Sequence, residues 1–193
     1  MASICSQGNV YCCGCYARSN GSCSYAVAMS DRLVLKWKSI LDEAAQLGIP
    51  FILLAGGEHF MRQDIIEIAA QNKDIIFPVF TNGTMIDNKN LSLLDMNRNI
   101  IPVLSIEGTS EETDSRRGAG TYAKVFDLMK KLNNRGILFG ASITVTKENI
   151  DKVTDLSFIH NLKNMGCGLT IFVEYVPISA GTEYLTLGPT ELD

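Results

Sequence analysis

Phe51-Ile52-Leu53-Leu54-Ala55 runs directly into Gly56-Gly57-Glu58-His59. Five consecutive apolar residues are what a strand covered on both faces requires, and such strands belong to parallel sheets flanked by helices. Working upstream, Leu33, Trp37, Ile40, Leu41, Ala44 and Leu47 recur at helical spacing, with Ser30 placed to cap that helix and Gly48 to stop it. Working downstream, the same unit repeats. A helix through Ile65, Ile66, Ile68 and Ala69 leads to a strand over Ile75 to Phe80. A short helical stretch over Leu91 to Met96 leads to a strand over Ile100 to Ile106. A longer helix, with Val125, Phe126, Met129 and Leu132 inward and Gly136 at its end, precedes a strand over Leu138 to Val145. One more helix, roughly Ile150 to Leu162, precedes a strand over Leu169 to Tyr175. With Ala2 to Cys5 as the first strand, six β/α steps result.

That alternation predicts an α/β fold with right-handed crossovers, satisfied by a partial parallel (β/α)6 barrel of the TIM-barrel type or by an open doubly wound sheet. Pro50, Pro78 and Pro102 fall at or inside short strands and blur their boundaries. There is no GxGxxG, no GxxxxGK[ST] and no internal repeat. The 193 residues read as a single domain spanning 1–193. The chain begins on a strand and ends on Gly188-Pro189-Thr190-Glu191-Leu192-Asp193, which reads as a helix start, so both ends look cut.

The net charge of −4 leaves no footprint for nucleic acid or an anionic membrane. The longest apolar runs fall far below the ~20 residues a bilayer helix needs, and no signal peptide is legible. The expected setting is the cytoplasm. Cysteine usage is the oddity: Cys5, Cys12, Cys13, Cys15 and Cys23 crowd the first 23 residues, and Cys167 stands alone. In a reducing compartment such crowding beside a strand points to metal or cluster binding rather than to disulfides.

In parallel α/β folds ligands bind beyond the C-terminal ends of the strands. Here those ends carry the cysteines, then Gly56-Gly57-Glu58-His59, Thr81-Asn82-Gly83, Ser105-Ile106-Glu107-Gly108, the set Ser142, Thr144 and Thr146, and Glu174-Tyr175. Taken singly, Glu58 and Glu107 read as solvated loop residues and Asn82-Gly83 as a turn. Together the ends line one mouth, suited to a polar cofactor beside a metal centre.

Val10-Tyr11-Cys12-Cys13-Gly14-Cys15-Tyr16-Ala17-Arg18, Leu53-Leu54-Ala55-Gly56-Gly57-Glu58, Phe80-Thr81-Asn82-Gly83-Thr84 and Leu104-Ser105-Ile106-Glu107-Gly108 resemble, in order and spacing, the radical S-adenosylmethionine (SAM) superfamily. The likeness runs to about Asn149 and is nearest the lineage of peptide-modifying and molybdenum-cofactor-type maturases. It implies a 4Fe–4S cluster on three thiolates with SAM on the open iron. The reduced cluster splits SAM, and the 5′-deoxyadenosyl radical takes hydrogen from an unknown substrate, a peptide or a small molecule. Ferredoxin or flavodoxin is the implied reductant. By position, the resemblance assigns Gly56, Gly57 and Glu58 to the SAM amino group, with Asn82 at the same mouth. Ser105 and Glu107 go to its ribose or methionine end, and Thr144 with the backbone after Val173 to its nucleoside. Arg116 or Arg117 would reach the SAM carboxylate, unless the pair is merely solvated.

The sequence departs from the family twice. CxxxCxxC spacing would place the first ligand at Gly8, which has no side chain. The nearest substitutes are Cys5, giving Cx6CxxC, and Cys13, which cramps the loop if it binds beside both neighbours; the expected ligands are Cys5, Cys12 and Cys15, with Cys13 pointing away and Cys23 and Cys167 uninvolved. His59 replaces the proline common after the GGE block and reads as a loop residue. Other readings stay open: a catalytically dead or fragmentary relative, a zinc site on Cys5, Cys12, Cys15 and Cys23, or a scaffold completed by a partner chain.

Overall fold

In the computed structural model the described residues are 1–2, 8–10, 12, 14–15, 31–177 and 180–192. Four strands, β1 (Phe77–Thr81), β2 (Ile100–Ile106), β3 (Gly140–Val145) and β4 (Leu169–Glu174), form one sheet in the order β1-β2-β3-β4. All three pairings are parallel, in registers such as Phe77↔Ile100, Ser105↔Ser142 and Ile143↔Phe172. The two earlier expected strands continue the sheet beyond β1 through single bridges: Phe51↔Ile76, Leu54↔Val79 and Ala2↔Leu54, all parallel. Leu54 N donates to Pro78 O at 2.8 Å, and Ala2 N to Leu53 O at 2.8 Å. The result is the expected partial, unclosed parallel barrel, with six extended segments in chain order. Residues 3–5 of the first expected strand lie outside the described residues.

The helices are α1 (Asp31–Gln46), α2 (Gln63–Gln71), α3 (Asn88–Met96), α4 (Ser110–Arg117), α5 (Thr121–Asn134), α6 (Ile150–Val153), α7 (Leu156–Asn164) and α8 (Pro189–Leu192). Each longer one turns a narrow apolar stripe to the sheet: Leu41 and Ala44 from α1, Ile65, Ile66 and Ala69 from α2, Val125, Met129 and Leu132 from α5. Between them Ile75, Phe77, Val79, Leu104 and Phe139 are fully buried. β3 is covered along almost its whole length, while β4, at the sheet's rim, is mostly exposed.

Two differences from the sequence reading have local causes. The helix expected over 150–162 is broken into α6 and α7, because Asp155 takes an extended conformation and caps α7, accepting from Ser157 N at 2.6 Å. The polar helix α4 was not expected. It rests on a capping box, Thr109 with Glu112, rather than on an apolar stripe. Among the described residues no helix is long and apolar enough to cross a membrane.

Candidate functional site

The C-terminal ends of the strands gather two polar networks, one around Glu58 and one around Glu107. Glu58 caps the 3-10 turn His59–Met61 and is 2% exposed. Its Oε1 accepts from Phe60 N at 3.1 Å and from Thr81 Oγ1 at 2.8 Å, and its Oε2 from Asn82 N at 2.9 Å. A carboxylate has about four lone-pair positions, so Oε2 keeps one for a further donor. Burial pushes the Glu58 carboxyl above its ordinary range, while the hydrogen bonds from Thr81, Asn82 and Phe60 oppose it. The solvated Glu58 read singly from the sequence is therefore a buried strap between two strand ends. Gly56 before it is exposed and Gly57 half-buried, leaving backbone open at the same end.

Asn82 carries the network to the cysteine loop. Its Nδ2 donates to Asn9 Oδ1 at 2.7 Å, and Asn9 Nδ2 donates to Thr84 Oγ1 at 2.8 Å. Asn9 is, by residue type, one that tolerates turns. Its tie to the Thr81-Asn82-Gly83-Thr84 block left no signal in local sequence.

Glu107, 1% exposed, is the second buried carboxylate. Its Oε1 accepts from Arg116 Nη1 at 2.8 Å and Arg117 Nε at 2.7 Å, and its Oε2 from Thr144 N at 3.1 Å. Neither the acid nor the arginine pair is merely solvated, as single-residue reading suggested. Asn149, also unassigned from sequence, donates to both Glu107 O and Thr144 O at 2.9 Å and so joins the ends of β2 and β3. Ser105 sits beside them on β2, buried, opposite Ser142. The seven residues assigned to SAM thus all stand at one mouth of the sheet.

Of the expected ligands, Cys12 and Cys15 are half-buried there, and Arg117 Nη1 lies 3.9 Å from Cys12 Sγ. Burial pushes the Cys12 thiol up, Arg117 opposes that rise, and the charge of neighbouring Cys15 adds to it. Gly14 between them has φ +63°, a conformation costly for other residues. A Cβ there would stand 2.5 Å from Tyr175 Oη. Tyr175 is 2% exposed, and its hydroxyl has no hydrogen-bond partner among the described residues. Cys5, Cys13 and Cys23 lie outside the described residues, and among the described ones no three His, Cys, Asp or Glu side chains converge as a metal cradle. Cys167 is remote, at the opening of β4, with its Sγ on Leu169 O at 3.2 Å. Paired thiols, an adjacent guanidinium and an unpartnered buried hydroxyl suit a thiolate-held anionic centre.

His59 is not a loop residue. It is wholly buried, its Nδ1 bonds Phe80 O at 3.0 Å and must donate there, and burial pushes its pKa down.

A cysteine loop, a GGE strand end and a carboxylate–arginine strand end facing one mouth invite comparison with known families. The description "Radical SAM superfamily" matches residues 2–158. The chain belongs to the radical SAM superfamily. Among its relatives, the Fe-coproporphyrin III synthase of Methanosarcina barkeri is 30% identical over 147 residues, 74% of this chain and 35% of that protein. The sporulation killing factor maturation protein SkfB of Bacillus subtilis is 26% identical over 151 residues, 77% of this chain and 36% of its own length. Native anSMEcpe with bound AdoMet superposes with a TM-score of 0.76 at 22% identity, over 97% of this chain and 54% of that one, a likeness of fold. The chain thus spans about a third to a half of the relatives it matches. The cofactors of radical SAM proteins, a 4Fe–4S cluster and S-adenosylmethionine, are those expected from the sequence.

Proposed function

We propose that this chain is the core of a radical SAM enzyme, with Cys5, Cys12 and Cys15 holding the 4Fe–4S cluster. SAM lies against Gly56, Gly57, Glu58, Asn82, Ser105, Glu107 and Thr144. When bound, the cluster supplies an electron that cleaves SAM and yields a 5′-deoxyadenosyl radical for hydrogen abstraction. The observation supporting the reading is that two separate polar networks reach the cysteine loop from the same strand ends: Glu107 with Thr144 and Arg117, the latter beside Cys12, and Glu58 with Asn82, which bonds Asn9.

The chain's own residues have separable tasks. Glu58 Oε2 offers its remaining lone pair to an ammonium group, and the open backbone at Gly56 and Gly57 lets that group approach. Glu107 pairs with and aims both guanidinium groups, whose combined charge exceeds its own by one, keeping Arg117 beside Cys12 and leaving Arg116 to meet the cofactor's acid end. The buried strand ends exclude water from the radical. The substrate is a peptide or a small molecule, since relatives are named a peptide cyclase and an Fe-coproporphyrin III synthase. Electrons come from a ferredoxin- or flavodoxin-like donor.

The test is anaerobic reconstitution of single variants. Cys5→Ala, Cys12→Ala and Cys15→Ala are expected to lose iron, and Cys13→Ala, Cys23→Ala and Cys167→Ala to keep it. Glu58→Ala and Gly57→Val are expected to weaken SAM binding by calorimetry. Retention of iron by Cys5→Ala with loss by Cys13→Ala would refute the ligand set, and unchanged SAM affinity in both other variants would refute the SAM site.

A further inference from the structure

Tyr175 follows β4 at the mouth, its backbone N–H fixed to Val145 O at 3.0 Å. The side chain is 2% exposed, and Arg116 lies over its ring at 5.8 Å while bound to Glu107. Its hydroxyl is sealed from solvent and makes no hydrogen bond among the described residues. A tyrosine hydroxyl is normally partnered when buried, because desolvating a donor without an acceptor is unfavourable. What the hydroxyl does touch is the cysteine loop. The position of a Cβ on Gly14 is 2.5 Å from Oη and 2.8 Å from Cε2, so glycine alone lets the loop settle on the ring. Gly14 is flanked closely by Cys12 and Cys15, whose sulfurs would be the acceptors of that segment once they ligate iron as thiolates. A cationic donor already faces one of them, Arg117 Nη1 at 3.9 Å from Cys12 Sγ.

We propose that Tyr175 is a positioning residue of the cluster site, its hydroxyl donating to a sulfur of the centre held by the Cys12–Cys15 loop. The inference rests on the cluster reading above and adds a residue to it. A donor to sulfur stabilises the more negative, reduced form and so raises the reduction potential. No bond is made or broken by Tyr175 in this role. Its ring also seats the loop, and the two tasks are separable because phenylalanine keeps the ring and removes only the oxygen.

The experiment compares the full unmutated chain with Tyr175→Phe, both reconstituted anaerobically with iron and sulfide. Iron content is expected to be equal. At a fixed potential the reduced-to-oxidised ratio of Tyr175→Phe is expected to fall about fivefold, the size one hydrogen bond carries. Proton ENDOR of the reduced cluster should show a coupled proton that exchanges in D2O in the unmutated chain and is missing in Tyr175→Phe. Arg117→Gln should lower the ratio as well while keeping the tyrosine proton signal. Equal ratios and an unchanged exchangeable proton in Tyr175→Phe overturn the inference and leave the cluster standing. Loss of iron from Tyr175→Phe also overturns it, since the hydroxyl would then be needed to form the loop. Absence of iron in the unmutated chain overturns the cluster reading itself.

Discussion

Asn82 Nδ2 donates to Asn9 Oδ1 across 73 residues of sequence, at 2.7 Å. The bond fastens the cysteine loop to the end of β1, and Asn9 returns a second bond to Thr84 Oγ1 at 2.8 Å. Hydrogen bonds to a strand end help fix where such a loop sits. Asn9→Ala removes both. The cost expected is about 1–2 kcal/mol in urea unfolding, with less iron bound per chain after reconstitution. Unchanged iron content would show that the loop is positioned by something else.

Glu107 stands between two guanidinium groups and the Thr144 amide while almost fully buried. Removing one member of a buried ionic cluster leaves the others unpaired, at about 3–5 kcal/mol. Glu107→Ala is expected to lose stability in that range by chemical denaturation, and Glu107→Gln less, since an amide oxygen can still accept. A loss under ~1 kcal/mol for Glu107→Ala, the figure for an exposed pair, would contradict the burial described here.

Position 14 tests the contact between loop and tyrosine. Gly14→Ala suffers twice, from φ +63° and from overlap with Tyr175. The backbone part is about 1–2 kcal/mol. Pairing Gly14→Ala with Tyr175→Leu should relieve the overlap and leave the backbone part. Thermal unfolding of the two singles and the double variant checks this, and strict additivity would mean that the residues do not touch.

Position 8 tests the displaced first ligand. Among the described residues the nearest atom to a Cβ on Gly8 is Val10 O at 3.8 Å, an ordinary contact, so a side chain can start there. Cys5→Ala is expected to lose iron and the double variant Cys5→Ala with Gly8→Cys to regain it, measured as iron and sulfide per chain. Failure of the double variant, with the unmutated chain loaded normally, would show that the loop is not shaped for the family's spacing.

Acid sensitivity follows from His59. Its folded pKa is held down by burial, so the unfolded state binds the proton more readily. Stability is then fully present above the unfolded value, about 6.5, and is lost as pH falls below it. The chain is expected to lose unfolding free energy between pH 6.5 and 5 more steeply than His59→Gln. Parallel profiles would place the proton uptake elsewhere.

The barrel was readable because its periodicities are strong. The mostly apolar stretch 100–106 marks a covered strand, and stripes such as Val125, Met129 and Leu132 mark the helices, while the run 51–55 joins the sheet only through single bridges and leaves Phe51 exposed. The strand ends were readable as a set for the same reason, since topology alone sends them to one mouth. What local sequence did not carry was pairing. Glu58, Glu107 and the arginines look like solvated charges until folding puts them against one another. Asn9 and Asn149 look like turn residues until their partners, dozens of positions away, arrive. Helix α4 escaped because capping and charge hold it, with no apolar stripe to see. Tyr175 was visible as a strand end, but its burial against Gly14 exists only in three dimensions.

The central claim is that this mouth holds a cluster able to cleave SAM. The most direct measurement is anaerobic reconstitution with iron and sulfide, followed by reduction in the presence of SAM and quantification of 5′-deoxyadenosine. The account predicts about four iron atoms per chain, broad visible absorption that bleaches on reduction, and 5′-deoxyadenosine formed in the reduced sample alone. A chain that binds no iron, or one that binds colourless zinc in its place and leaves SAM intact, contradicts it.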